Sequence, residues 1–275
     1  MKPTPTLSRA IAAYLAKAPM FMAIIRAQEM ELFRRFKKYL GQEVLDFGCG
    51  DGFFASVAIS PLQKFRRLVG IDVIGNSRVK IAPEPYDDLY LYDGRQLPFA
   101  IHSFDTVVSN CVFEHIPDMP KSAKEIYRVL KPGGFCVTSV MTQDWEKMLW
   151  WRRIFGQTYV NWLRRQQQHV GLRSVAAWQK LFNQTGFEVV THVGYVGDQC
   201  GPWLDLAHYL SWPSLVSYAI NRKWVWWPQL QIWLFRNWLQ RMINLPAKFY
   251  AAEFFILRKP KVIEPEDSGL TKASD

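Results

Sequence analysis

An α/β fold, in which a doubly wound sheet of seven strands carries helical insertions, is what this 275-residue sequence predicts. Three observations lead there. The stretch Val44-Leu45-Asp46-Phe47-Gly48-Cys49-Gly50-Asp51-Gly52 reads as a short apolar strand running into a glycine-rich turn and the apolar segment Phe53 to Ile59. Strand and helix signals then alternate as far as Met141, the signature of a parallel sheet with helices on both faces. Finally, all twelve tryptophans lie between Trp145 and Trp238, so the alternating core and the later part of the chain differ in composition.

The elements follow in order. Residues 1–40 form an expected helical cap: Leu7 to Lys17 has helix formers, Pro19 interrupts, and Phe21, Ile24, Ile25, Leu32, Phe33 and Phe36 recur at helical spacing. Lys17 breaks the apolar run, which argues against a secretory signal. The core at 41–141 holds strands at Glu43–Phe47, Arg67–Asp72, Leu89–Tyr92, Ser103–Ser109 and Phe135–Met141. A helix at Pro120–Leu130 is ended by Lys131-Pro132-Gly133-Gly134. Residues 142–173 carry no strand pattern and read as a helical lid. A Ser174–Gly186 helix, with a capping serine and a terminal glycine, leads to a sixth strand at Phe187–Tyr195 within the unit 174–196. Residues 197–248 are an amphipathic helical insertion, 249–259 supply the last strand, and the polar tail 260–275 is expected to be disordered.

The chemistry is expected at the carboxyl ends of the strands, where an open α/β sheet binds its ligand. Strand one delivers Asp46, Gly48, Cys49, Gly50 and Gly52. The glycines fall as G-x-G-x-G rather than the G-x-G-x-x-G of a dinucleotide turn, and the carboxylates Asp46 and Asp51 suit a cationic amine or sulfonium better than a pyrophosphate. Strand two ends at Asp72 and Val73, an acid placed for both hydroxyls of a ribose. Strand three ends at Asp93-Gly94, where a carboxylate can accept from an adenine amino group. Strand four ends in Ser109-Asn110-Cys111-Val112-Phe113-Glu114-His115. His115, and His169 from the lid, are the candidate general bases; His102 sits at an expected tight turn. The four cysteines lack metal-ligand spacing and the thiolate and imidazole ligands are not clustered along the chain, so no metal is expected.

Together with Arg128-Val129-Leu130-Lys131-Pro132-Gly133-Gly134, this succession of strand tips over residues 43–141 resembles the class I S-adenosylmethionine-dependent methyltransferases, of the type 11-like group. The resemblance implies a Rossmann-like fold and S-adenosyl-L-methionine as cofactor. It assigns Asp72 to the ribose, Asp93 to adenine and the glycine turn to the methionine end, with Val73, Gly94, Asn110 and Cys111 completing the pocket. It does not extend to 197–248. Strand four lacks the Asn/Asp-Pro-Pro-Tyr/Phe run of enzymes that methylate adenine or glutamine nitrogens.

Charge is unevenly placed. Of the net +10, residues 1–40 carry +6, 41–141 carry −2, 142–261 carry +9 and the tail −3. On a helix from Pro228 to Leu245, Ile232, Leu234, Phe235, Trp238, Leu239, Met242 and Ile243 share one half of the circumference, with Trp233 an exception. Such helices either pack as an extra core layer or dimer contact, or lie on a membrane surface, where Trp and basic residues belong together. Asp205, His208, Gln231 and Arg236 argue against a transmembrane span. The tryptophans sit among leucines rather than on a base-stacking platform, which argues against nucleic acid. The expectation is a cytoplasmic methyltransferase at the inner membrane face, acting on a lipid, isoprenoid or lipid-linked small molecule. A cofactor-binding scaffold without turnover and an RNA methyltransferase are the alternatives.

Overall fold

The computed structural model describes residues 5–75, 84–210, 214, 224–242 and 246–261. The polar tail from 262 and the segments 211–213, 215–223 and 243–245 of the Trp-rich insertion lie outside the described residues. In chain order the elements are α1 (Pro5–Lys17), α2 (Met20–Arg35), β1 (Glu43–Phe47), a short π-helical turn (Ala55–Ile59), β2 (Arg67–Val73), β3 (Asp88–Tyr92), β4 (Phe104–Asn110), α3 (Met119–Val129), β5 (Leu130–Met141), α4 (Trp145–Met148), α5 (Arg152–Gln166), α6 (Val175–Thr185), β6 (Glu188–Gly197), α7 (Gly201–Leu210), α8 (Pro228–Met242) and β7 (Tyr250–Arg258).

The strands form one sheet in the order β3-β2-β1-β4-β5-β7-β6. β1 to β5 are parallel, in the register Asp46↔Gly70 and Asp46↔Val108 at the centre. β7 runs antiparallel to both β5 and β6, so the sheet is mixed rather than wholly parallel. The alternation up to Met141 predicts parallel strands, and β1 to β5 are parallel as expected; β6 and β7, beyond it, are joined through the insertion that carries α7 and α8.

Alternation along the strands explains the two helical layers, since successive side chains point to opposite faces. Val44, Val108, Val137, Phe254 and Ile256 face one core with α1, α2, α5, α7 and α8. Leu45, Val107, Cys136, Phe255 and Leu257 face the other, with α3 and α6, where Trp178 is fully buried. α6 begins where Ser174 accepts from the Ala177 amide and ends at Gly186, whose φ of 103° is the left-handed geometry a helix stop favours.

The two insertions are joined by a buried acid. Asp205 on α7 accepts from the Tyr159 hydroxyl at 2.7 Å and from the Trp151 amide at 3.1 Å. The residue that speaks against a membrane span in the sequence is thus a hydrogen-bonded anchor between α7 and α5. α8 packs along α1, with Gln231 donating to the Ala18 carbonyl and Leu239 and Met242 buried.

The Arg128–Gly134 motif is structural. Arg128 donates to the carbonyls of Phe99 and Leu97 and pairs with Glu125, which in turn accepts from the Leu97 amide. Lys131 bridges Glu43 and Asp105, both at 2.7 Å, tying the starts of β1, β4 and β5. Arg128→Ala removes the donor that pins the β3–β4 connection and is expected to lower unfolding free energy by about 1.5–3 kcal/mol, read as a shifted urea midpoint at unchanged slope; an unchanged midpoint contradicts this role.

Candidate functional site

The tip of β1 turns on three glycines, with φ of 78° at Gly48, 57° at Gly50 and 73° at Gly52. Their surroundings differ. A Cβ on Gly48 would stand 2.5 Å from a Val112 methyl, and one on Gly52 would stand 3.1 Å from the Tyr86 ring, so these two glycines admit neighbouring protein. A Cβ on Gly50 would meet nothing within 4 Å. Gly50 is therefore where the backbone is bare toward a ligand, the purpose such a residue serves in this kind of turn.

Two carboxylates flank that opening. Asp72, at the tip of β2 and 6% exposed, accepts from the Gly50 amide at 2.8 Å and from the Val73 amide at 2.7 Å. Asp46 is 5% exposed and accepts from the Tyr86 hydroxyl at 2.6 Å. Burial pushes the Asp46 carboxyl up to about 7, with the Tyr86 hydrogen bond opposing and the Asp72 charge adding to the rise. Burial, reinforced by the Asp46 and Asp72 charges, also pushes the Cys49 thiol well up, so Cys49 stays a neutral thiol.

Beyond Asp72 the surface turns apolar. Val73, Ile74 and Leu91 are all exposed, and the Cβ position of Gly94 lies 3.7 Å from Val73. Asp93 is exposed and accepts from the Arg95 amide at 2.9 Å. An apolar ledge beside an acid at each end suits a planar base on a ribose.

At the tip of β4, Asn110 and Cys111 face α2. Glu29 of that helix is fully buried and takes four donors: Arg26 at 2.7 Å, Asn110 at 2.9 Å, Tyr195 at 2.7 Å and the Cys111 thiol at 3.0 Å. Ser139 completes the group by donating to Asn110 at 2.7 Å. Burial pushes the Cys111 thiol well up, and the Glu29 charge adds to it.

The two candidate histidines meet at the same end of the sheet, with ring centroids 5.1 Å apart. His115 is exposed on the turn after β4, its Nδ1 at 3.1 Å from the Gln168 carbonyl. His169 is buried against Trp145, and burial first, then His115 and Arg164, hold its pKa down at about 3. A ring that resists protonation so strongly is a weak base at neutral pH. His102 is exposed in a left-handed turn, far from this chemistry in role.

The structure thus brings Asp46, Gly48, Cys49, Gly50, Gly52, Asp72, Val73 and Gly94 together at the tips of β1, β2 and β3, leaves Asp93 exposed beside them, and turns Asn110 and Cys111 toward Glu29. Sequence reasoning misses Glu29, Arg26, Tyr195 and Tyr86. A signal existed for the first: Glu29 precedes Leu32 and Phe33 by three and four residues, which sets an acid on the apolar stripe of α2. Tyr86 lies in a stretch without periodicity.

The donor set fits an S-adenosyl group: open backbone at Gly50, paired acids for hydroxyl and cationic groups, and an apolar ledge for a base. Comparison with known proteins agrees. A methyltransferase-domain family model matches residues 10–192, about two thirds of the chain. A demethylmenaquinone methyltransferase of Symbiobacterium thermophilum is 32% identical over 101 residues, 34% of this chain and 40% of that one. Another of that name from Lysinibacillus sphaericus is 27% identical over 177 residues, covering 57% of this chain and 74% of its own. Among solved structures, the phosphoethanolamine N-methyltransferase 2 of Haemonchus contortus, in complex with phosphomonomethylethanolamine and S-adenosylhomocysteine, shares the fold. Its TM-score is 0.55 at 18% identity, covering 92% of this chain and 58% of that one. The chain belongs to the methyltransferase-domain family, and it is a class I S-adenosylmethionine-dependent methyltransferase with a Rossmann-like sheet.

Proposed function

We propose that this enzyme methylates an apolar, ring-bearing acceptor of the lipid-quinone type, reached at a membrane surface through α7 and α8. The observation that carries the proposal is a groove of about 230 Å³ whose lining is wholly apolar: Met20, Trp203, Leu206, Leu234, Phe235 and Trp238. In α8 and the segment before it, Trp226, Trp227, Leu230 and Trp233 are exposed, Trp233 by 76%. Isolated exposed apolar residues are ordinary, but a run of tryptophans beside basic side chains is the composition of an interfacial helix. No helix among the described residues is long and apolar enough to cross a membrane. The relatives named demethylmenaquinone methyltransferases support an isoprenoid quinone precursor as the acceptor class.

The cofactor supplies an electrophilic methyl group on a sulfonium. The protein's part is placement. The Gly48–Gly52 turn and Asp72 would hold the nucleoside, Asp46 would face its cationic end, and the apolar groove would hold the acceptor's tail. A second cavity of about 220 Å³ lies between α2, β6 and α8, lined by Gln28, Tyr195 and Cys200 among others. In this reading it receives the polar ring, next to the Glu29 group at the tip of β4. Orientation alone can supply about 7–11 kcal/mol of a bimolecular barrier.

Incubation with methyl-labelled cofactor tests the reading, with a quinone precursor lacking one ring methyl and total RNA as rival acceptors. Label is expected in the organic phase, faster with anionic vesicles and slower at high salt. Trp233→Ser is expected to weaken vesicle retention by about tenfold, the loss of one buried apolar side chain. Label in RNA, or no retention on vesicles, contradicts the proposal.

A pH dependence follows from Asp46. Below about 7 its carboxyl is protonated, so binding a cation must release that proton, and cofactor affinity rises by up to about tenfold per pH unit up to about 7 and then levels. Folding stability of the free enzyme moves the other way. A carboxyl whose folded pKa is raised costs stability as pH climbs from about 4 to about 7. Calorimetric titration between these limits is expected to show the rise in wild type and a flat profile in Asp46→Asn; a flat wild-type profile removes Asp46 from the cationic end of the site.

A further inference from the structure

Glu114 and His115 follow β4, whereas His169 follows α5, and the fold closes them into one cluster. Each offers a ligand atom within 4.8 Å of those of the other two. The loop that brings His169 in is fixed at its base: the Val170 and Gly171 amides both donate to the Glu114 carbonyl, at 3.1 and 3.0 Å.

Two atoms of the cluster have no partner. Glu114 is fully buried; one carboxylate oxygen accepts from the Met141 amide at 3.2 Å, and the other, Oε2, is buried without a hydrogen bond. His169 is 7% exposed, and its Nδ1 is likewise buried and unpartnered. Buried polar atoms are nearly always satisfied, so two unpartnered ones within a single cluster of ligand groups call for a partner. Of the nearby cations, Arg26 pairs with Glu29 at 2.7 Å and Arg164 with Glu146, while Arg173, whose Nε is also buried without a hydrogen bond, lies with its guanidinium over the Trp178 ring at 5.4 Å.

The third member is oriented for the same purpose. His115 Nδ1 lies against the Gln168 carbonyl, which can only accept, so that nitrogen carries the hydrogen and Nε2 is the acceptor atom of the neutral ring. A backbone carbonyl fixing the far nitrogen is the usual support of a metal-binding histidine. The Trp145 ring, edge-on to His169 at 5.0 Å, walls the inner side. His115 is exposed and opens the outer side.

We propose that Glu114, His115 and His169 form a binding site for one divalent transition-metal ion such as Zn²⁺, with at least one coordination position left for water or an acceptor oxygen. Two imidazoles and one carboxylate are a three-ligand set of the open type, in contrast to the closed four-ligand sets of structural zinc. The site does not depend on the acceptor being a lipid quinone, because its ligands belong to the turn after β4 and the loop after α5.

The test uses the full-length enzyme, stripped with a chelator and dialysed against Zn²⁺ alone. About one equivalent is expected to bind, and a hundredfold excess over Kd is expected to raise Tm by about 5 °C. Co²⁺ in place of Zn²⁺ is expected to give visible bands of a low-symmetry nitrogen–oxygen site. His169→Ala and Glu114→Gln are expected to lose binding, but both residues are buried, so His115→Ala decides. It is expected to fold as wild type and to lose affinity by more than the about 100-fold typical of supporting residues. His102→Asn, at an exposed histidine outside the cluster, is expected to bind as wild type. Zn²⁺ binding no tighter in wild type than in His115→Ala overturns the proposal.

Discussion

The hydrogen bond from the Gly50 amide to Asp72 is the contact on which the site rests. It joins the tips of β1 and β2, fixes a left-handed turn that leaves backbone open to solvent, and holds a carboxylate beside Asp46 in a nearly dry setting. Burial raises the proton affinity of Asp46, and the charge of the neighbouring Asp72 adds to it. Such an arrangement is costly by itself. In the proposed reading it becomes favourable when hydroxyls and a cationic centre enter, as a sulfonium nucleoside would supply.

A second buried acid organises the other half of the pocket. Glu29 reaches from α2 to the tips of β4 and β6 and is met by Arg26, Asn110, Cys111 and Tyr195. The amide of Val196 reinforces the latch through Gln28 at 3.0 Å. The N-terminal helices are thereby tied to the tips of β4 and β6. Their outer flank supports α8, so the chain connects a polar pocket at the sheet edge to an apolar groove at the surface through α2.

β1 was legible because an apolar run into three glycines has few other uses, and it spans Glu43–Phe47 as expected. What escaped was long-range. The antiparallel course of β7 depends on where the insertion returns the chain, and nothing local encodes that. Glu29 was hidden because a helix of mainly apolar spacing reads as a cap, although its register with Leu32 and Phe33 carried the signal. Glu114 and His115 adjoin in sequence, but His169 joins them only through the lid, so a ligand count along the chain found no cluster. The Trp-rich insertion proved divided: Leu239 and Met242 of α8 are buried, while Trp233 and Leu234 face outward.

Cofactor binding to Gly50→Ala tests the central claim most directly. Alanine in this left-handed position costs about 1–2 kcal/mol of backbone strain, and its methyl meets no protein atom within 4 Å. The variant is therefore expected to fold, with a Tm only a few degrees lower, while calorimetry shows S-adenosylmethionine affinity reduced at least tenfold. Wild-type affinity in that variant would mean that the glycine turn is not the cofactor's seat.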